Sequence, residues 1–595
     1  MPVIGLDVRP DAQPGSVVWQ ASVLRFIPSS LPVSLSHDTL SINIEQNCLV
    51  NEAAVDMTHP SHEKALPIRI PNLPFVVTLL TLLVAGAILY AYITPDGLGL
   101  TNDSADYLGG ARAILAGDGY VRYSGDRQPR PITQFPPGYA FAIAKAAAFG
   151  APDVFAAAKA VNGIAIVLNL FLIAALALAT SRRESAAGFA AALTLISVPF
   201  LKAQSYGLSE ALASVWILAG LLLLSVALRK ARRPLWVWLL IGAVFGVAVL
   251  IRYAALIFFA GALFLAFANG RTARDRWIPA FGIAAGFSVF LLPWLIRGRI
   301  VSDGGVNRTF TLHFPTADRL WDGVRTVMGF FLPEAGGIVE KPRAVWAGLI
   351  LIVLAALTVR MALRLIAVFR GTAHDPDGEA MPLAPADFFV YFLLLYLAEL
   401  FLTAVFIDGS TVFDDRMLYP FFILTILAVS SAAARFMEKP GQHAAALIIL
   451  TLFGLSLLED SLDLIRAFHA DGQGFAGRAW RESETASAIA GLPDGITCFS
   501  NRRTFLGLMK ELPCYVLPVG FDAATQQASA SFTADREWMR SEILSGKAAA
   551  IVFGFTDDLD SESEDFKYYD ALFAELPLYG AYPDGKIFAR PDSAR

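Results

Sequence analysis

Eleven runs of about 17 to 25 predominantly apolar residues limit what this chain can fold into more than any other feature. They lie near 74–93, 155–180, 186–203, 207–228, 235–251, 253–268, 277–297, 344–368, 388–407, 417–435 and 442–460. About 20 such residues in a helix cover the roughly 30 Å of bilayer hydrocarbon, where only a helix or a closed barrel satisfies its backbone hydrogen bonds internally. The runs therefore predict a polytopic α-helical membrane protein with about eleven crossings. Composition agrees: 55% of the 595 residues are hydrophobic, only 17% are charged, and the mean hydropathy is +0.54. That excludes an ordinary cytosolic enzyme, whose charged share is roughly 25%.

Charge sets the orientation. Arg182 and Arg183, Arg229 to Arg233, Arg271 to Arg276, Arg360 to Arg370, and Arg435 with Lys439 fall in alternate connections, which the positive-inside rule assigns to the cytoplasm. The outward segments are then 94–135, 298–343, 408–416 and everything beyond about 461. PPGYAFAIAKAAAFG at 136–150 is too short to cross and would break the alternation if counted, so a re-entrant helix is expected there. Lys and Arg number 47 against 52 Asp and Glu, a net charge of −5, so no basic surplus serves a nucleic-acid partner.

Residues 1–56 carry no signal-peptide pattern and read as a disordered extension, with Met57 a candidate start. Residues 57–460 form the transmembrane domain. Beyond it, 461–595 alternates short β runs (ITCFS, CYVLP, AAAIVFGF, DGKIFA) with helical segments, including SEDFKYYDALFAEL, and reads as a small extracytoplasmic α/β domain. An oxidising compartment would permit a Cys498–Cys514 disulfide. Two buried free thiols on neighbouring strands are the equal alternative. The three cysteines give no metal-ligand spacing, no cofactor motif is present, and a divalent metal stays open.

Chemistry is sought among outward segments. TNDSADYLGGARAILAGDGY opens the first outer loop with a short amphipathic helix whose apolar side includes Tyr107, Leu108, Ala111, Ile114 and Leu115. Asp103 and Asp106 stand at its start. They read either as a capping pair, the commoner use of acids there, or as reactive carboxylates. Ionisable residues at the outer ends of spans are costly and therefore functional candidates: Lys202, Tyr206 and Glu210 in PFLKAQSYGLSEALA, Arg252 in VLIRYAAL, Arg297 and Arg299 in LLPWLIRGR, and Asp414, Asp415 and Arg416 in DDRMLYPFF. For Arg297 and Arg299, interfacial snorkelling is the competing reading. The topology gathers Asp103, Lys202, Arg252, Arg297 and Arg416 on one membrane face. One carboxylate among cations at the bilayer edge suits a phosphate attached to a lipid tail.

These pieces in order, DSADY with AxxILAGDGY, PPGY, YGLSEALA, LIRYAAL, PWLIRGR and DDRMLYP, resemble the multi-span glycosyltransferases of the C superfamily (GT-C). The likeness is to the branch of the protein O-mannosyltransferases and the lipid A aminoarabinose transferases. The resemblance implies a bacterial inner-membrane enzyme that moves a sugar, with inversion, from a polyprenyl-phosphate donor to a glycan, lipid or protein hydroxyl on the outer face. It implies Asp103 as the essential acid with Asp106 in reserve, and Arg252, Arg416, Lys202 and Arg297 around the donor phosphate. Tyr107, Glu210, Tyr206 and Tyr139 are supporting residues in this reading. A secondary transporter or flippase for a lipid-linked sugar, a hydrolase of such a lipid and a non-catalytic membrane scaffold are the alternative classes.

Overall fold

The computed structural model describes residues 71–123, 125–229, 233–301, 312, 314–331, 343–370, 383–438, 441–522, 527–554 and 572–590. The expectations for residues 1–56 and Met57, and most of the helix expected over SEDFKYYDALFAEL, lie outside these.

The chain begins with helix α1 (Leu73–Ile93), started by Asn72, whose Oδ1 accepts from the Phe75 N–H at 2.9 Å. Then come α2 (Asn102–Ala116), a two-stranded ribbon of β1 (Val121–Tyr123) and β2 (Pro129–Pro131), and the short α3 (Gly138–Ala148). The bundle continues through α4 (Val154–Ser181), α5 (Glu184–Leu195), α6 (Val198–Ser205), α7 (Glu210–Ala227), α8 (Leu235–Ile251), α9 (Leu256–Ala268), α10 (Ala273–Val301), α11 (Ala317–Phe331), α12 (Arg343–Phe369), α13 (Pro385–Phe406), α14 (Tyr419–Phe436) and α15 (His443–Asp471).

Among the described residues eight helices are long and apolar enough to cross a membrane. Counted as one broken span, the pair α5 and α6 makes a ninth, bent by 64° where Pro199 enters the first turn of α6 and cannot donate back to the previous helix. The shorter apolar helices Leu235–Ile251 and Tyr253–Ala268 supply the remaining two of the eleven expected runs. The protein is a multi-pass membrane protein. With 11 residues, α3 extends about 16 Å, half the hydrocarbon thickness, in agreement with a re-entrant element. The amphipathic α11 falls outside the sequence expectation, because a scan for long apolar runs passes over a helix apolar on one side only.

Two seams fix the frame around α2. Helices α8 and α10 cross so closely that a Cβ on Gly242 would lie 2.0 Å from the Ile283 carbonyl, and one on Gly286 2.0 Å from that of Leu239. Gly242 with Gly246, and Gly282 with Gly286, repeat the small-residue spacing that lets membrane helices touch along their backbones. The second seam holds the entry to α2. The Gly99 N–H donates to Ser205 O and the Gly207 N–H to Gly99 O, while the Phe475 N–H donates to Leu100 O. Residues 99–100 are thereby paired with Tyr206 on one side and Gly474 on the other. Gly474 has φ +52°, and a Cβ there would meet Leu100 O at 2.1 Å, so only glycine fits.

Beyond α15 a five-stranded sheet forms from β3 (Thr497–Ser500), β4 (Cys514–Val516), β5 (Ala548–Phe553), β6 (Leu578–Tyr582) and β7 (Gly585–Phe588), in spatial order β4-β3-β5-β7-β6. The first three strands are parallel and the β5–β7 and β7–β6 pairs antiparallel. Helix α16 (Arg503–Met509) crosses between β3 and β4, and α17 (Phe532–Leu544) leads to the fully buried β5. The edge strand β6 is absent from the sequence expectation: LYGAY has no β-branched residue and no clean alternation of buried and exposed positions. Cys498 and Cys514 face each other in register, 4.5 Å apart at Cα, and form a disulfide. Phe475, Trp480, Phe505 and Phe553 pack on one another beyond α15, and one apolar core runs from the bundle through Phe475, Phe505 and Phe553 into the domain.

Candidate active site

Helix α2 starts without either aspartate as its cap. Thr101 is the cap residue, and the Ser104 hydroxyl accepts from the Thr101 N–H at 2.9 Å, so capping falls to a Thr-x-x-Ser pair. Asp103 is left to point elsewhere. Tyr107, Leu108 and Ala111 bury the underside of α2, the Tyr107 ring standing edge-on to Tyr139 at 5.3 Å, while Leu115, expected on the same side, is exposed.

Asp103 pairs with Arg416, 313 residues away. The Arg416 Nε donates to Glu210 Oε1 at 2.6 Å, and Arg252 Nη1 reaches the same oxygen at 2.8 Å. An Asp–Arg–Glu–Arg chain results, with the Glu210 side chain only 2% exposed at its centre. Local structure explains each member. Glu210 occupies the first turn of α7, where the helix dipole favours an acid. Arg252 is the residue at which α8 ends, its extended backbone directing the side chain off the helix axis. In DDRMLYP, Asp414 accepts from the Met417 N–H at 2.8 Å and shapes the turn, Asp415 takes Lys202 Nζ at 2.8 Å, and Arg416 enters the cluster. Arg252 also approaches the Met417 sulfur at 3.6 Å, while the Tyr396 hydroxyl donates to the Met417 carbonyl. Glu210 Oε2 is buried and has no hydrogen-bond partner among the described residues.

Against these charges lies a small, mostly apolar pocket of about 40 Å³ between α7, α9 and α14, lined by Glu210, Arg252 and Arg416 together with Ile217, Leu218, Leu221, Phe258, Ile423 and Leu424.

The remaining sequence candidates have other positions. Tyr107 donates to or accepts from Ser209, the residue before Glu210, at 3.1 Å. Tyr139 is fully buried and donates to Asn162, which in turn donates to the carbonyls of Gln204 and Tyr206. Tyr206 packs edge-on to Phe468. Arg297 stands apart from the cluster: it donates to Tyr120 O and Ile132 O at 3.0 Å each and stacks over Trp294, which ties α10 to the outer loop. Asp106 faces away from Arg416 towards Arg122, whose Nη1 lies 3.3 Å from both carboxylate oxygens. Burial raises the Asp106 pKa against the lowering influence of Arg122 and Arg503, and Asp103 adds to the rise. Among the described residues no group of three or more His, Cys, Asp or Glu side chains could hold a metal ion.

Sequence reasoning missed Arg122, Arg127 and Arg503, which flank Asp106. Arg503 lies in a stretch that sequence assigns only to the outer domain, and nothing in its spacing signals a meeting with α2.

No protein-family model matches the sequence, and no curated protein matches it by sequence. The backbone does have relatives. The oligosaccharyltransferase of Archaeoglobus fulgidus superposes with a TM-score of 0.50 at 14% identity, over 85% of this chain and 73% of that one. This chain has the GT-C fold. The GT-C structures similar to it include ArnT from Cupriavidus metallidurans, with a TM-score of 0.44 and 13% identity over 87% of this chain and 97% of that one. Another is the arabinofuranosyltransferase AftD from Mycobacteria, with a TM-score of 0.49 and 14% identity over 86% and 39%.

Proposed function

We propose that the protein is a glycosyltransferase that moves a sugar from a polyprenyl-phosphate donor to an acceptor hydroxyl at the extracytoplasmic face of a bacterial inner membrane. The observation that carries this reading is the Asp–Arg–Glu–Arg chain, whose Glu210, Arg252 and Arg416 line a small apolar pocket. A phosphate with an isoprenoid tail needs both: apolar surface where the tail begins and guanidinium groups for the phosphate oxygens.

In this mechanism Arg416 leaves Asp103 for the incoming phosphate, while Glu210 keeps Arg416 and Arg252 in place. Lys202, beside Arg416 through Asp415, adds a third cation. Asp103, released, accepts the proton of the acceptor hydroxyl as that oxygen attacks the anomeric carbon. The bond from that carbon to the phosphate oxygen breaks with inversion, and its electron pair passes to the phosphate, where the arginines stabilise the developing charge. Phosphate departs without protonation, so one carboxylate suffices where a hydrolase uses two. Asp106 stays as the neighbouring acid and does not take the proton.

The test is transfer by the purified full chain in lipid from a panel of radiolabelled polyprenyl-phosphate monosaccharides, with membranes as acceptor source. Label should move to the acceptor in the wild type and not in Asp103→Asn. Counter-flow of an intact lipid-linked sugar without donor consumption would replace this reading with transport.

A further inference from the structure

A second cavity, of about 500 Å³, opens between α2 and the C-terminal domain on the Asp106 side. Its size is that of a site for a small molecule or a sugar unit. Four arginines, Arg112, Arg122, Arg127 and Arg503, line it against two carboxylates, Asp106 and Glu511. The arginines differ in how far they are committed. Arg112 donates to Leu508 O at 3.0 Å and lies over the Phe155 ring, which holds α16 to α2. Arg122 has a long, shared contact with Asp106. Arg503 and Arg127 donate to no acceptor among the described residues. Arg503 is partly buried, and desolvation together with Arg122 depresses its pKa while Asp106 alone counters. Three non-glycine residues among those described have positive φ, and two of them, Arg127 at 59° and Glu511 at 52°, line this cavity. Such backbone is costly and gathers where a ligand is clamped.

Excess guanidinium in a preformed cavity asks for an anion. Asp106, which lines the cavity, stands one helical turn from Asp103 on α2. We propose that this cavity is the acceptor subsite and that it takes an acceptor bearing a phosphate or carboxylate, held by Arg503, Arg127 and Arg122. The inference rests on the glycosyl-transfer reading for the word acceptor, and on the cavity alone for the anion. The C-terminal domain then contributes directly to the site, since α16 brings Arg503 to it and the disulfide-linked Cys514 forms part of the wall.

The experiment uses the full chain in phosphatidylcholine nanodiscs and measures equilibrium binding of labelled glucose 6-phosphate and glucose, with donor binding and donor turnover followed in parallel. A second arm replaces part of the phosphatidylcholine with phosphatidic acid. Glucose 6-phosphate is expected to bind at least ~10-fold more tightly than glucose, and Arg503→Gln should weaken it ~10-fold or more, the weight of a charge-assisted hydrogen bond. Arg127→Gln, a change at an exposed side chain, should weaken it in the same direction and guards against a folding defect in Arg503→Gln. Donor binding should not change in either variant. Displacement of glucose 6-phosphate by phosphatidic acid supports the subsite and assigns its anion to a lipid headgroup, whereas persistence of binding assigns it to a free phosphate. If neither the sugar phosphate nor phosphatidic acid binds in a manner that depends on Arg503 and Arg127, the proposal is overturned. Phosphate binding without turnover of any donor keeps the anion site and overturns the transfer reading instead.

Discussion

Asp103 and Asp106 occupy the same helix one turn apart, but the arginines around them are spent differently. On the Asp103 side the cations are matched: Arg416 is shared between Asp103 and Glu210, and Arg252 closes the chain on the same glutamate oxygen. On the Asp106 side four arginines face two carboxylates, and two of the four have no hydrogen-bonded partner among the described residues. The first arrangement is preorganised, its charges already paired around a desolvated Glu210 before a substrate arrives. The second is incomplete until something anionic enters. Preorganisation suits the group that must stabilise charge only in the transition state, and incompleteness suits a binding subsite.

The most severe way to break the matched side is Asp103→Asn. With the proposed base gone, transfer should fall by at least the ~10²- to 10⁴-fold attributed to general-base catalysis, with thermal unfolding and phosphate binding on the Asp106 side nearly unchanged. A radiolabel assay beside a melting curve separates these. Near-normal turnover would remove Asp103 from the mechanism.

Glu210→Gln attacks the hub. It leaves Arg252 and Arg416 close together without their common anion, and breaking a buried ion pair from one side costs ~3–5 kcal/mol. Denaturant titration in mixed micelles should show that loss. Arg503→Gln on the unmatched side should cost far less, because no ion pair there depends on it, and equal losses would dissolve the distinction between the two sides.

Removing the disulfide probes the other wall. Cys498 and Cys514 are separated by 16 residues, and a loop of that order is worth ~3 kcal/mol to the domain that contains it. The double Cys→Ala variant should lose glucose 6-phosphate binding before it loses donor binding, followed by the same two binding assays under heating. Loss of both together would mean that the wall supports the whole outer face.

The smallest effect is a pH dependence. The ordinary aspartate value is 3.8, and burial holds the folded Asp106 above it. The folded state therefore keeps its proton to higher pH than the unfolded chain. The stability this confers is fully present below the unfolded value and is lost as pH rises through the folded one. Asp106→Asn never charges, so the variant should gain stability over the wild type at neutral pH and lose that advantage in acid, measured as melting temperature across the carboxylate range. An advantage that grew in acid would reverse the assignment.

The frame is readable from sequence because the bilayer imposes a length and an apolarity on each span, and all eleven runs correspond to helices. The site is legible only residue by residue. Asp103, Lys202, Glu210, Arg252 and Arg416 can be nominated from costly charges at span ends, but apart from Arg252 with Glu210 their pairing joins positions 206 to 313 residues apart. No periodicity encodes that. Arg297 satisfies the same criterion and is occupied by two loop carbonyls, since charge at a span end does not say what the charge touches. The reading of Asp103 as a cap fails locally, because Thr101 and Ser104 fill that role within the same turn. The Asp106 cavity cannot be seen in sequence at all: it is made by α2 and α16, elements that local pattern predicts separately and only packing brings together.

The pairing of Gly99 and Leu100 with Tyr206 on one side and Gly474 on the other has a consequence in time. The strand that presents Asp103 emerges early in synthesis, yet its second edge is written some 370 residues later, after every span has been made. Until residue 474 arrives, the entry to α2 is paired along one edge only, with Ser205 to Gly207. The loop that carries Asp103 is thus among the first segments made and among the last completed, so a ribosome-bound or truncated chain would have its membrane bundle without the second edge that seats this loop.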